Sequence, residues 1–177
     1  MKKIILFDTE IKMCDAWKTY FDNNPEVDIF NTSFENVEAT YTVTAGNSYG
    51  IMTGGIDLAV RNYYGYRIQD LIQEKLFFID KHKLNPGSML IVKTNDASKP
   101  NLVYVSTMET PRKINSLVIY NSVFNILKNC YEKDGNIAIC GLGTSTGGVP
   151  YDIAAEEYYD AYTKYKRRIK RWQRWKK

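Results

Sequence analysis

Two glycine-rich segments hold the side chains of this sequence that are best suited to bind an anion. The first, residues 44–57 with the sequence TAGNSYGIMTGGID, follows a strand-like run and precedes a helix-like run. Backbone N–H groups at the start of a helix are unpaired, and glycine lets the backbone approach a ligand closely. Asn47 can both donate and accept, while Asp57 falls in the first helical turn, where the helix dipole favours an ionised carboxylate. The segment predicts an anion-binding turn, although an ordinary helix-start turn would have the same composition.

The second segment, residues 141–150 with the sequence GLGTSTGGVP, again lies between a strand-like run and a helix-like run. Its glycine N–H groups and the hydroxyls of Thr144, Ser145 and Thr146 can donate to phosphate oxygens, although a tight turn without a ligand is the alternative. Ligands of open α/β folds bind at the carboxyl edge of the sheet, where both segments would lie. Two anion-binding loops on one edge suggest a diphosphate.

Four familiar kinds of site are disfavoured. Three glycines of the second segment have the spacing GxGxxxG, but a dinucleotide fingerprint belongs to the first strand-to-helix turn of its fold, and this segment follows the last strand. Neither glycine cluster continues into the Lys-Ser/Thr pair of a Walker loop. The three cysteines are scattered and His82 is the only histidine, so neither a metal site nor a Ser/His/Asp triad is predicted.

Hydrophobic periodicity predicts strands that alternate with helices along most of the chain. Such alternation favours a largely parallel sheet covered by helices on both faces, built as a single domain. The predicted strands are 4–7, 27–30, 41–43, 89–92, 102–106 and 136–140. The predicted helices are 11–21, 56–63, 67–79, 117–131 and 153–165.

The composition is that of an ordinary soluble domain, with 44% hydrophobic and 25% charged residues in 177. No signal peptide or membrane span is expected, and three cysteines without a CxxC pair favour a reducing compartment, so a cytoplasmic location is predicted. Nine of the 24 Lys and Arg lie in residues 164–177, which leaves 15 basic against 20 acidic residues elsewhere. A contact with nucleic acid would therefore depend on Lys164 to Lys177, although a solvated helix end has the same composition.

Taken together, the two loops identify a family resemblance. The chain resembles macro domains, specifically a bacterial and phage-type group with an ANSxGxMxGGID loop and a GLGTGxGG loop, and the similarity runs nearly end to end. The resemblance implies a three-layer α/β/α fold with a mixed, mostly parallel six-stranded sheet that binds ADP-ribose at its carboxyl edge. It places the macro domain at residues 1–165 and leaves residues 166–177 as a basic helical extension.

The resemblance also implies roles for individual residues. Asn47 matches the family's ribose-contacting Asn, and Asp57 matches an acid of members that remove ADP-ribose from proteins, so these two are the candidate catalytic residues. Neither a cofactor nor a metal is implied. The candidate ligand contacts are Ser33, Phe34, Asn47, Ser48, Gly50, Met52, Gly54, Gly55, Ile56, Gly141, Gly143, Thr144, Ser145, Thr146, Gly147, Gly148 and Val149.

Four positions depart from the family pattern. Ser33 stands where the family's adenine-contacting Asp is expected, and a neutral hydroxyl accepts less strongly from the adenine amino group, which leaves the preferred base open. Gly46 replaces Ala, Thr53 replaces Asp, and Ser145 replaces Gly in the second loop. The predicted activity is hydrolysis of an ADP-ribosyl linkage, and the alternative is a reader or sequestering protein that binds ADP-ribose or a derivative without turnover.

Overall fold

The predicted strands pair into one sheet in the structure, a computed structural model that describes residues 2–131 and 135–175. Each strand is a short apolar run that ends at a polar or turn-forming segment, as the sequence pattern predicted. The strands are β1 (Ile4–Asp8), β2 (Val27–Asn31), β3 (Tyr41–Asn47), β4 (Met89–Lys93), β5 (Asn101–Met108) and β6 (Ile137–Cys140). The helices are α1 (Ile11–Phe21), α2 (Gly55–Tyr64), α3 (Arg67–Phe77), α4 (Leu117–Ile126) and α5 (Tyr151–Trp175).

The sheet has the strand order β2-β1-β6-β3-β5-β4. All neighbouring strands are parallel except β4, which runs antiparallel to β5 at the edge. Every residue of β6 is buried, as expected for a parallel strand with helices on both faces. The prediction of a three-layer fold with a mixed, mostly parallel six-stranded sheet is confirmed.

Two groups of helices cover the sheet. On one face α5 packs against both α1 and α4, and the rings of Trp17 and Tyr158 meet there with centroids 5.3 Å apart. Helices α2 and α3 cover the other face, where Val60, Ile68 and Ile72 are buried. Of the helices in the described parts of the chain, none combines the length and the apolar character needed to cross a bilayer.

Local details differ from the sequence prediction where tertiary packing determines which side chains are buried and how the backbone turns. Apolar residues at helical spacing, Ile11, Cys14, Trp17 and Phe21, predict the inner face of α1, but Ile11 is 50% exposed and Met13 is buried in its place. The polar segment 31–38, which the sequence predicts as a loop between two strands, contains a 3₁₀ turn at Phe34–Asn36. The single helix predicted over 117–131 divides into α4 and a π-helical turn at Leu127–Tyr131.

Helix α5 is the longest element and continues unbroken beyond the predicted end at residue 165. Its buried face carries Tyr158, Ala161 and Tyr165, and Ile169 still packs partly against the core. The boundary that we predicted between residues 165 and 166 therefore falls inside one helix, and it stays a prediction. The last two residues of the basic extension, 176 and 177, lie outside the described residues.

Candidate functional site

A cleft of about 540 Å³ lies at the carboxyl edge of the sheet, a volume typical of small-ligand sites. Because β1, β3, β5 and β6 are parallel, the segments that follow them converge on this edge and line the cleft. The two predicted loops, about 90 residues apart in the sequence, meet there because β3 and β6 are neighbours in the sheet.

Asn47 ends β3 and uses its side chain to shape the first loop. Its Oδ1 accepts from the N–H groups of Tyr49 (3.0 Å) and Ile51 (3.3 Å), and its Nδ2 donates to the Ile51 carbonyl (2.7 Å). An amide nitrogen carries two N–H groups, so Asn47 can hold this loop and still donate to a ligand in the cleft that it lines. Asn47 is thus a structural and a candidate binding residue together.

Asp57 lies in the first turn of α2 but is almost fully buried, with 2% of its surface exposed. Its Oδ1 accepts from the Thr44 hydroxyl at 2.6 Å, and its carboxyl also hydrogen-bonds the Tyr104 hydroxyl, which donates to the Asn47 carbonyl at 2.8 Å. Burial raises the pKa of Asp57 to about 8, against the lowering effect of both hydrogen bonds. Desolvation therefore opposes the helix dipole, which was expected to favour the ionised carboxylate, and the ionisation state of Asp57 stays a prediction.

A neutral Asp57 makes the hydrogen-bond chain complete. In its protonated form the carboxyl can donate to the Tyr104 oxygen while the Tyr104 hydroxyl donates to the Asn47 carbonyl at 2.8 Å, because each hydroxyl has one proton to give. An ionised carboxylate would instead compete with the Asn47 carbonyl for the single Tyr104 proton. The buried acid thus supports the backbone of Asn47 from beneath the cleft.

Gly46 explains one departure from the family pattern. A Cβ atom at this position would lie 2.0 Å from Asp57 Oδ2 and 2.2 Å from the Tyr104 hydroxyl. Both distances are far below van der Waals contact, so the alanine expected at this position does not fit above the Asp57–Tyr104 pair. The register of β3 against β5 also shifts between Gly46 and Asn47.

The second loop begins against Asp8, at the end of β1. A Cβ atom on Gly141 would lie 2.1 Å from Asp8 Oδ2, so glycine permits this close approach. Asp8 Oδ1 accepts from the Glu10 N–H at 2.8 Å, and burial raises the pKa of Asp8. Asp8 thereby joins the ends of two neighbouring strands at the floor of the cleft.

Backbone hydrogen bonds fold the rest of the second loop back on itself. The N–H of Val149 donates to the Gly143 carbonyl at 3.0 Å, and that of Gly148 donates to the Ser145 carbonyl at 3.0 Å. The loop leads directly into α5, whose first residue, Tyr151, also lines the cleft. The unpaired N–H groups of this helix start and of the loop supply the donors that an anion requires.

A third segment, the 3₁₀ turn that contains Phe34, is held by a buried cation. Lys99 is 2% exposed, and its Nζ donates to the Glu35 carbonyl and the Tyr63 hydroxyl, both at 3.2 Å. The same ammonium lies 4.5 Å from the centroid of the Tyr63 ring, which packs edge-on against Phe34. This arrangement fixes the side of the cleft on which Ser33 lies.

Most of the predicted site residues converge on the cleft. Those that line it are Ser33, Phe34, Asn47, Gly54, Gly55, Ile56, Asp57, Gly141, Gly143, Thr144, Ser145, Thr146 and Gly147.

The predicted contacts Ser48, Gly50, Met52, Gly148 and Val149 are not part of this lining. Ser48 is buried against the Ser106 hydroxyl at 3.1 Å, and Met52 is fully buried with its N–H donated to Gln69. These residues shape the loops in the structure, and their direct contact with a ligand stays a prediction.

Several lining residues were not predicted as site residues, although the sequence contained a signal for them. Asp8 and Glu10 directly follow the first predicted strand, and the carboxyl ends of parallel strands meet at one edge. Others come from segments that carry no glycine cluster, such as Thr9, Thr32, Thr107 and Pro111, and a further group lies in the first loop itself: Ala45, Gly46, Ile51 and Thr53. Within residues 2–131 and 135–175, no group of three or more His, Cys, Asp or Glu is arranged to hold a metal ion.

Comparisons with known proteins agree with this geometry. The family model described as Macro domain matches residues 43–158, which is more than half of the chain. An uncharacterised protein of Aquifex aeolicus is 24% identical over 142 residues, which cover 79% of this chain and 82% of that protein.

Solved structures share the fold. The macrodomain of Mycobacterium tuberculosis DarG has a TM-score of 0.64 at 17% identity, with 75% of this chain and 87% of that chain covered. The Oceanobacillus iheyensis macrodomain with MES bound gives 0.62 at 17% identity, over 71% and 69% of the two chains. Thermosipho africanus DarTG in complex with ADP-ribose gives 0.58 at 17% identity, over 71% and 35%.

Proposed function

Because the chain belongs to the macro domain family, we propose that its cleft binds ADP-ribose or a close derivative. The observation that carries this proposal is the convergence of the two glycine-rich loops on one cleft of about 540 Å³ at the carboxyl edge. One similar structure, Thermosipho africanus DarTG, contains ADP-ribose, which supports the same class of ligand here. In this proposal the second loop and the start of α5 hold the diphosphate, and Asn47 contacts the distal ribose.

The first candidate activity is hydrolysis of an ADP-ribosyl linkage. Water would add to the anomeric carbon of the distal ribose, the bond to the acceptor would break, and the acceptor would take up a proton. Asn47 and the loop N–H groups would contribute by fixing the ribose and the diphosphate. Asp57 is 2% exposed and burial raises its pKa to about 8, which favours a role in positioning Asn47 over a role as general base.

The second candidate is a reader or sequestering protein that binds without turnover. The burial of Asp57 favours this candidate, because the first loop then offers the ribose no exposed carboxylate. The carboxylates that line the cleft come from other segments: Asp8 and Glu10 lie at and just after the end of β1, and Glu35 lies in the 3₁₀ turn that follows Ser33. Both candidates need the same binding site, so only product formation separates them.

Calorimetric titration of ADP-ribose tests the binding proposal. We expect saturable binding by the wild type, at least tenfold weaker binding by Asn47→Ala, and unchanged binding by Asn62→Ala, which removes an exposed amide from α2. Incubation with ADP-ribosylated protein then separates the candidates, because released ADP-ribose indicates a hydrolase and binding without release indicates a reader. Absence of wild-type binding would contradict the proposal.

The compartment is also a proposal. Cys14, Cys130 and Cys140 are all buried and form no disulfide, which supports a reducing location such as the cytoplasm.

A further inference from the structure

The outer face of α5 changes its charge along the helix. Near the cleft this face carries Asp152, Glu156 and Asp160, all exposed. Further along it carries Arg167, Lys170, Arg171, Arg174 and Trp175, which line a shallow depression that we call the basic stripe. Spacings of three and four residues place the basic stripe on one side of the helix, opposite the buried face that includes Tyr165.

The three arginines of the basic stripe form no ion pair with the described part of the protein, whereas Lys170 interacts electrostatically with Glu26 and helps to lower its pKa. Lys166, on a neighbouring position, pairs with Glu26 at 2.7 Å and so belongs to the body of the protein. Within residues 2–131 and 135–175, no carboxylate lies within ion-pair distance of Arg167, Arg171 or Arg174. The helix dipole favours cations only in the last turn, whereas the basic stripe extends over two turns.

An exposed tryptophan accompanies these cations. Trp175 is 90% exposed, and large aromatic side chains are uncommon on a surface that meets only water. A guanidinium and an indole side by side suit a ligand that offers both phosphates and flat bases. The rest of the protein outside residues 164–177 has a net charge of about −5 from 15 basic and 20 acidic residues, so a polyanion would be directed to the stripe.

We propose that the basic stripe of α5 binds single-stranded nucleic acid, with Arg167, Lys170, Arg171 and Arg174 on the phosphates and Trp175 stacked on a base. The cations span about 10 Å along the helix, so they form a continuous row that can follow a sugar-phosphate backbone. An anionic membrane is the less suitable partner, because the exposed part of the helix has no broad apolar face to bury in lipid.

The basic stripe is separate from the cleft. Tyr151 lies at the cleft and Arg167 begins the stripe about 24 Å further along the same helix. A bound oligonucleotide should therefore not compete with ADP-ribose. A substitution that abolishes binding at one site should leave binding at the other site unchanged.

Fluorescence anisotropy with labelled thymidine and uridine oligonucleotides of about twelve nucleotides tests the proposal, and the two sugars separate DNA from RNA. Four phosphate contacts predict about 50-fold weaker binding when salt rises from about 50 to 200 mM. The variant R167Q/K170Q/R171Q/R174Q should lose at least tenfold in affinity, whereas K12Q/K75Q/K93Q/K128Q, which removes the same charge from exposed lysines elsewhere, should bind nearly as wild type.

Trp175→Ala is the second variant, because it leaves every charge in place. Without the indole one base loses its stacking partner, so the variant should bind the single strand about five- to 150-fold more weakly. The change for a duplex should be smaller, because its bases are already stacked on one another. ADP-ribose titration of all variants should match the wild type, which separates this proposal from that of the cleft. The proposal is overturned by equal losses in the two quadruple variants, by absence of oligonucleotide binding at low salt, or by retention on anionic vesicles alone.

Discussion

Replacing Asp57 by the isosteric Asn should remove a pH dependence that this buried carboxyl imposes on folding. Burial raises the pKa of Asp57 from 3.8 to about 8. Between these values the folded protein keeps a proton that the unfolded chain releases. The stabilisation is thus fully present below the unfolded pKa and is lost as the pH rises toward the folded pKa. The slope from this one group is about 1.4 kcal/mol per pH unit.

The Asp57→Asn variant keeps the shape of the site without the proton. Its amide oxygen still accepts from the Thr44 hydroxyl, and its N–H can donate to the Tyr104 oxygen in place of the carboxyl proton. Its contribution to stability should therefore not change with pH. Relative to wild type, the variant should gain on the order of 3 kcal/mol in unfolding free energy between about pH 5 and pH 7.5, and then level off near pH 8.

Urea denaturation across this pH range, followed by tryptophan fluorescence, measures the difference. Asp70→Asn, which removes an exposed carboxyl on α3, serves as the control and should give a nearly flat difference. A flat difference for Asp57→Asn as well, or one that grows toward acid pH, would mean that Asp57 is ionised in the folded protein. The hydrogen-bond chain through Tyr104 would then be wrong.

Three further experiments test the surroundings of the cleft by substitution. Gly46→Ala should cost about 1–3 kcal/mol of stability and weaken ADP-ribose binding, and Tyr104→Phe in the same chain should recover part of both losses. If the effects of the two substitutions simply add in denaturation and calorimetry, residues 46 and 104 do not crowd one another. Ser33→Asp should raise the preference for ADP-ribose over its hypoxanthine analogue about tenfold in competition titrations. An equal change in affinity for both ligands would mean that the adenine base does not bind beside residue 33. Lys99→Met should lower the unfolding free energy by about 1–3 kcal/mol in urea denaturation, because the Glu35 carbonyl loses its buried donor. A change below about 0.5 kcal/mol would mean that Lys99 does not stabilise the 3₁₀ turn.

Much of the fold follows from local patterns in the sequence. Strands β1 and β6 are apolar runs bounded by polar turns, and their alternation with helices predicts the parallel sheet. The burial of individual helix positions was less predictable, as the exposure of Ile11 illustrates, because it depends on which neighbour covers each position. The π-helical turn at Leu127–Tyr131 has no sequence signature, since the same apolar spacing suits a continuous α-helix.

The glycine clusters made the position of the cleft predictable, but not its electrostatics. Asp57 and Thr44 lie in one predicted segment, whereas Tyr104 arrives from β5, a strand that is distant in the sequence. The sequence therefore showed the helix dipole at Asp57 but not the burial that opposes it. Lys99 was missed for a related reason, because a lone lysine after a polar stretch normally indicates a solvated side chain.

The crowding above Gly46 also constrains how this family can diversify. A chain with Tyr104 and Asp57 in their present positions cannot accept Ala at residue 46 without moving one of them, since both side chains occupy the space of the new methyl group. Mutations at these three positions are therefore epistatic, and their order matters. Loss of the hydroxyl at 104 relieves only part of the crowding, because Asp57 Oδ2 and the ring Cζ atom of residue 104 still lie 2.0 and 2.7 Å from the new methyl group, so Ala at 46 also requires a shift of residue 57.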